Sequence, residues 1–463
     1  MSVRELQDYT FVAKYARWIA EKKRRETWNE AVSRVKEMML NKYFDIPEIQ
    51  EDIEWAYEMM RKKRVLGSQR ALQFGGKPIF KHNARIYNCI TSFCDRLRFF
   101  QECMYLLLCG CGTGFSVQKH HIAKLPSLIR NKNGTKKYVI PDTIEGWSDA
   151  VGILVSSYFD QKELFPEYAG KNINFDYSEI RPAGSFLNSS GGKAPGPEPL
   201  KNALSNIRRV LDKALKELDF CDKSIRHLTP IQAYDIVMHS ADAVISGGVR
   251  RSATICLFSP DDEDMAKAKT GSWFVENPQR GRSNNSAILL RDKTTAKQFS
   301  SLMKSVKEFG EPGFVWSDST ELIVNPCVEI GMWPVDEKTG ESGWQACNLS
   351  TINCAKIKSE EDFLEACKAA SIIGTLQAGF AAFSYLGKTS ENIVKREALL
   401  GVSMTGIMEQ HEICLSPEVQ KAGAKTVKDE NKRIAKIIGI NQAARTTCIK
   451  PEGTSSCVLG TSS

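Results

Sequence analysis

The sequence predicts an α/β chain, with a helical N-terminal region over residues 1–76 and a mixed α/β domain over residues 77–463. Three observations predict it. Apolar residues recur at helical spacing up to about residue 66, a Gly75-Gly76-Lys77-Pro78 cluster then breaks the pattern, and beyond it short apolar runs alternate with helical stretches. The composition, 42% hydrophobic and 25% charged over 463 residues, supplies a large core and excludes a disordered or fibrous chain.

In the helical region Trp18, Ile19, Trp28, Val32, Val35 and Met38 recur among charges, and Ile53, Ala56, Tyr57 and Met60 do so again. The basic runs Lys22-Lys23-Arg24-Arg25 and Arg61-Lys62-Lys63-Arg64 read as solvated helix faces, not nucleic-acid contacts. The net charge of +8 is modest and compatible with a weak pull on nucleotide anions.

Beyond residue 76, Phe115-Ser116-Val117, Ile173-Asn174-Phe175 and Ala253-Thr254-Ile255-Cys256-Leu257 read as strands. Residues 127–137 and 184–199, rich in Gly, Pro, Asn, Lys and Ser, read as long ligand-binding loops. The apolar stretch Ala369 to Leu386 is interrupted by Gly374, Gln377 and Gly379, which favours a buried helix over a membrane span. Fourteen cysteines in a long chain that opens Met1-Ser2-Val3-Arg4-Glu5, with no signal-peptide core, point to free thiols in a reducing, cytoplasmic setting. No internal repeat or low-complexity tract is present. The last residues, Gly453 to Ser463, read as a loop and an apolar run with no closing helix.

The chemistry concentrates at Asn325-Pro326-Cys327-Val328-Glu329-Ile330. In an extended segment Asn325, Cys327 and Glu329 share a face while Val328 and Ile330 anchor the other, and Pro326 stiffens the backbone. A thiol, a carboxylate and an amide then converge on one small substrate. A cysteine between apolar residues more often only packs, so the other signals matter. Cys89, after Asn88, and Cys347, in Ala346-Cys347-Asn348, could face each other and give up two electrons by closing a disulfide.

Cys109-Gly110-Cys111 with His120-His121 raises a zinc reading, but the Cys spacing is short and adjacent histidines point apart on a strand, so no metal site is expected. Gly110, Gly112 and Gly114 suggest backbone running closely past a neighbour. Gly247, Gly248, Val249, Arg250, Arg251 and Ser252 combine flexible backbone with guanidinium forks suited to phosphate or a nucleobase, where a surface turn is the plain alternative. Lys450 with Pro451, Glu452, Gly453, Thr454, Ser455 and Ser456 supplies a cation, hydroxyls and loop amides, as a phosphate cradle needs, without the ending of a Walker loop.

Taken in order, these segments resemble the adenosylcobalamin-dependent (class II) ribonucleotide reductases, and among them the monomeric ribonucleoside-triphosphate reductases. The resemblance is carried by Tyr15-Ala16-Arg17-Trp18, Gly114-Phe115-Ser116-Val117, Pro141-Asp142-Thr143, Glu145-Gly146-Trp147, Ile180-Arg181-Pro182, Val249 to Ala253, Ser283-Asn284-Asn285-Ser286, Gly310-Glu311-Pro312-Gly313, the Asn325 finger, Gly401 to Ile407 and the Lys450 loop.

The resemblance implies a ten-stranded α/β barrel with the finger inside it. It implies Cys327 as the thiyl radical formed with adenosylcobalamin, Glu329 as the base on the 3′ hydroxyl, Asn325 as a ribose contact, and Cys89 with Cys347 as the reducing pair. Residues 451–456 would hold the substrate triphosphate, and residues 247–252 would relay the choice of a deoxynucleotide effector. The reductant would be thioredoxin-like or a small thiol, and neither nucleic acid nor membrane is an expected partner.

Members of that family continue beyond the point matching Ser463, so the barrel is expected to be incomplete here, with a second polypeptide as one way to complete it. The segment before Pro141 is short for the insertion by which monomeric members imitate a dimer interface. The alternative from another class is a catalytically silent nucleotide-binding or assembly subunit.

Overall fold

A computed structural model of the chain describes residues 3–129, 133–187, 192–217, 227–246 and 253–463. It divides into two compact units, one made of Met1–Cys89 and Ala346–Ser463, the other of Ile90–Leu187 and Gly192–Gln345. The strands that shape them are, in chain order, β1 (Val65–Leu66), β2 (Cys89–Phe93), β3 (Gly112–Ser116), β4 (Thr254–Phe258), β5 (Ser283–Leu290), β6 (Gly313–Ser317), β7 (Ile323–Val324), β8 (Gly331–Met332), β9 (Gln345–Cys347), β10 (Leu349–Asn353) and β11 (Gly401–Thr405).

The first unit begins with helices, as the apolar spacing predicts. Trp28–Lys42 buries Val32, Val35 and Met38, and Gln50–Arg61 buries Ile53, Ala56, Tyr57 and Met60. Thr27 starts the former with a capping box: its Oγ1 accepts from Glu30 N while the Glu30 carboxylate accepts from Thr27 N. Trp18 and Ile19 depart from the helical reading. They form a two-residue strand paired with Arg24–Arg25, and Trp18 is exposed. The first basic run therefore supplies part of the turn (Lys22, Lys23) and one arm (Arg24, Arg25) of a hairpin, with Lys22 and Arg24 both paired to Glu30. In the second run Arg64 turns from the helix end to Asp362 and Glu365.

The rest of this unit is a three-stranded sheet, β11-β10-β1, with β10 parallel to β11 and antiparallel to β1. The helix Glu360–Ala378 is buried along its later turns, Ala369 to Ala378. No helix among the described residues is long and apolar enough to cross a membrane. The last segment does close in a helix, Gly453–Leu459, contrary to the loop reading. Its glycine, threonine and serines are poor helix formers, but burial of Val458 and Leu459 overrides that preference.

The second unit is organised on a sheet of order β6-β5-β4-β3-β2-β9, in which β3, β4, β5 and β6 run parallel. Continuous apolar strands such as β4, buried at every position, suit a parallel sheet covered on both faces. Phe93, Ile255, Leu257 and Ile288 from this sheet form a cluster with Ile323 and Val324 of β7. Residues 135–139 and 172–176 pair in parallel beside the helix Ile144–Ser156, over a cluster of Ile153, Tyr168 and Ile173.

The mixed α/β class is observed, whereas a closed ten-stranded barrel is not formed among the described residues. Closure requires every strand to pair on both sides. β6 and β1 each end a sheet, and β9 and β10, separated only by Asn348, belong to different sheets.

Candidate active site

The finger stands on the antiparallel hairpin β7–β8, with Ile323 opposite Met332 and Val324 opposite Gly331. Burial of Ile323 and Val324 in the cluster beneath anchors its stem, worth about 1.5–3 kcal/mol for each side chain. A second feature lets the stem approach the sheet: a Cβ on Gly114 of β3 would lie 2.3 Å from Val324 O. The close approach expected of the Gly110-Cys111-Gly112-Thr113-Gly114 run is thus made at Gly114, while Gly110, at φ +90°, caps the helix Arg98–Cys109.

At the tip the chain turns and is not extended. Val328 N donates to Asn325 O at 2.9 Å, and Val328 has φ +67°. The anchoring role expected of Val328 is not met, because its side chain is 45% exposed. The convergence of Asn325 and Glu329 is met by a different route. Asn325, fully buried, accepts from Ile330 N through Oδ1 at 3.1 Å and donates through Nδ2 to Glu329 Oε2 at 2.7 Å. Cys327 sits exposed between them on the turn.

Cys89 opens β2 and Cys347 ends β9, and these strands are hydrogen-bonded neighbours in the sheet. Both thiols are buried, and neither is in a disulfide. Burial pushes the Tyr87 phenol well above its ordinary value, and Cys347 is among the groups that add to the effect.

A polar network surrounds the two cysteine strands. Gln377 Nε2 donates to Asn348 Oδ1 at 2.7 Å, and its Oε1 accepts from Ser68 N at 2.7 Å. Asn348 Nδ2 donates to Gly374 O at 2.6 Å, and Ser68 Oγ donates to Ile86 O at 2.6 Å. Asn348 follows Cys347 directly, so Gln377 holds the chain beside that buried thiol. The apolar run marks Gln377 as a polar residue on a buried helix, but not its partners, which lie 29 and 309 residues away.

Residues 451–456 form the entry and first turn of the helix Gly453–Leu459. Glu452 is buried, accepting from Thr351 Oγ1 at 2.7 Å and from Ser455 Oγ, and it pairs with Lys450 Nζ at 3.2 Å. Thr454 Oγ1 lies 2.8 Å from Tyr15 Oη, and Ser456 Oγ donates to Gly453 O. The cation and hydroxyls read as a phosphate cradle thus have protein partners here, and Pro451 and Gly453 are the exposed positions.

Asn325, Cys327 and Glu329 lie in the second unit, and Cys89, Cys347 and residues 451–456 in the first. Gly247, Gly248, Val249, Arg250, Arg251 and Ser252 fall outside the described residues, between the helix Pro230–Ser246 and β4.

The chain is similar to known proteins in both sequence and fold. Residues 118–211 match the family model "B12-dependent ribonucleotide reductase, insertion domain". The insertion expected to be short before Pro141 is therefore present and extends well past it. The adenosylcobalamin-dependent ribonucleoside-triphosphate reductase of Lactobacillus delbrueckii subsp. bulgaricus is 25% identical over 98% of this chain and 72% of its own length. That of Lactobacillus helveticus is 24% identical over 99% and 73%. A crystal structure of a B12-dependent (class II) ribonucleotide reductase superposes with a TM-score of 0.80 at 23% identity, covering 98% of this chain and 74% of that one. The class Id ribonucleotide reductase alpha subunit of Actinobacillus ureae gives 0.56 at 13% identity, covering 98% and 73%. In its insertion segment, in its sequence over nearly its whole length and in its fold, this chain is thus similar to B12-dependent ribonucleotide reductases.

Proposed function

We propose that the chain reduces ribonucleoside triphosphates to 2′-deoxyribonucleotides with adenosylcobalamin, through a radical on Cys327. The observation that carries this reading is the finger turn, where Asn325 donates to Glu329 beside the exposed thiol of Cys327. A purely packing cysteine would be buried and would need neither neighbour.

The residues fit the cofactor at the point where its chemistry must arrive. Cys327 is exposed at the tip beside the exposed Val328, whereas Cys89 and Cys347 are buried. Adenosylcobalamin, when bound, supplies a radical by breaking its cobalt–carbon bond, and Cys327 with Val328 would face it. The Cys327 thiol gives up its hydrogen atom, and the resulting thiyl takes the 3′ hydrogen of the ribose. Glu329 accepts the 3′ hydroxyl proton, while Asn325 orients Glu329 and the ribose hydroxyls.

Water then leaves from the 2′ carbon. Of the two hydrogens given by Cys89 and Cys347 as they close a disulfide, one leaves in the water and one goes to the 2′ carbon; Glu329 returns its proton to the 3′ oxygen, and Cys327 returns a hydrogen atom to the 3′ carbon. The disulfide is re-reduced by a thioredoxin-like protein or a small thiol. Residues 451–456 serve the triphosphate through their backbone amides, since their side chains are already engaged. Residues 247–252 answer to a deoxynucleotide effector.

The test is reduction of a ribonucleoside triphosphate by the purified chain with adenosylcobalamin and dithiothreitol, alone and with any polypeptide encoded beside it. Product in either arm supports the reading, and product only in the second makes the enzyme a split one. Nucleotide binding without product in both arms would replace it with a silent binding subunit.

A further inference from the structure

We propose that His120, His121 and Glu321 form a divalent transition-metal site, for zinc or a similar ion, that clamps the base of the finger to the sheet. His120 and His121 were expected to point apart as on a strand. They lie instead on the short helix Lys119–Ile122, with ring centroids 4.0 Å apart. His120 Nε2 is 2.7 Å from Glu321 Oε1, and His121 Nε2 is 3.2 Å from Glu321 Oε2. One donor atom from each of the three lies within 4.8 Å of the others.

Two imidazoles and a carboxylate make a donor set that suits zinc, with a fourth position left for water. Tetrahedral zinc holds neighbouring donors about 3.3 Å apart. The two separations run to different oxygens of Glu321, Oε1 for His120 and Oε2 for His121, so an ion held by both rings would take the carboxylate through both oxygens or after a small turn of it.

His121 is held as a fixed ligand would be. It is fully buried, stacks on Phe93 at 4.0 Å, and has Nδ1 2.9 Å from Ser116 Oγ. Metal at Nε2 requires the proton on Nδ1, so binding would make Nδ1 the donor to Ser116 Oγ, a hydroxyl that Gln118 N and Nε2 also donate to. Burial also lowers the pKa of His121, favouring the neutral form that a metal needs. His120 and Glu321 are 43% and 38% exposed, which gives an ion a path from solvent.

The place of Glu321 gives the site its consequence. Only Leu322 separates it from β7, the first arm of the finger stem, while His121 is fixed against Phe93 of β2 and Ser116 of β3. A bound ion would tie that arm to the sheet four residues before Asn325. The same three groups can also satisfy one another by hydrogen bonds alone, and that alternative is what the experiment must separate.

The purified full chain, stripped with a chelator, is titrated with Zn²⁺ and with Co²⁺ by calorimetry and visible absorption. The expected result is one equivalent bound, with Co²⁺ giving tetrahedral d–d bands and no thiolate charge transfer. His120→Ala and Glu321→Gln, at partly exposed positions, are each expected to weaken binding by more than about tenfold while circular dichroism is unchanged. Absence of binding by the unaltered chain, unchanged affinity in both variants, or a thiolate charge-transfer band would each overturn the assignment. None of these readouts depends on reductase activity.

Discussion

Asn325 Nδ2 donates to Glu329 Oε2 at 2.7 Å across the turn that presents Cys327. The bond fixes the carboxylate of the proposed base through a side chain that is itself fully buried. Glu329→Gln is expected to lower turnover by about 10²–10⁴-fold, the usual contribution of a general base. Cys327→Ser should abolish reduction and leave nucleotide binding nearly intact. Single-turnover assays with parallel nucleotide titration measure both, and turnover retained by Cys327→Ser would remove it from the radical role.

Gly114→Ala places a methyl group 2.3 Å from Val324 O, closer than atoms can approach, so the finger stem must move. The expected cost is about 1–3 kcal/mol of stability, as for other overpacked cores. Turnover should fall further than stability alone explains, because the displaced arm leads directly to Asn325. Thermal unfolding and kcat measured below the melting range separate the two effects; an unchanged melting curve would mean that the stem does not approach β3 as described.

Gln377→Leu keeps the volume of the side chain but leaves Ser68 N and Asn348 Oδ1, both on buried residues, without that partner. Each group so orphaned costs about 1–3 kcal/mol. Urea unfolding should show the loss, and Cys89 and Cys347 should oxidise to a disulfide less readily, as followed by thiol counting after diamide treatment. A variant as stable as the parent would show that water replaces the amide.

Glu409 joins two parts of the first unit, accepting from Thr461 Oγ1 at 2.6 Å and from Ser462 N at 2.7 Å. These bonds hold its carboxyl below the ordinary value. Because the folded pKa is the lower one, the stabilisation is complete above the unfolded value and is lost as pH falls through the folded one. Protection of the amides at residues 460–463, relative to their intrinsic exchange rate at each pH, is therefore expected to fall below the normal carboxylate range, and Glu409→Gln should remove that pH dependence.

Local spacing made much of this legible. The sequence-level grouping of Asn325 with Glu329 holds, and Gly114 has the close neighbour its composition suggested. Alternation describes a strand and so predicts an extended finger. A turn bonded from Val328 N to Asn325 O breaks that alternation after Pro326. Trp18 and Ile19 mimic a helical stripe by spacing alone, yet pair as a strand with Arg24–Arg25. Pairings made across long separations left no local mark: Glu321 lies 200 residues from His121, and Gln377 lies 309 from Ser68.

The left-handed backbone at Val328 has a further meaning. A β-branched residue at φ +67° is held in a sparsely populated conformation that costs on the order of 1–3 kcal/mol and persists only where its surroundings impose it. Glycine there would relieve the strain, so the fold could grow sturdier while the cysteine beside it wandered over more positions. A search for heat-resistant variants would then tend to select glycine at this tip, and with it a looser placement of the neighbouring thiol.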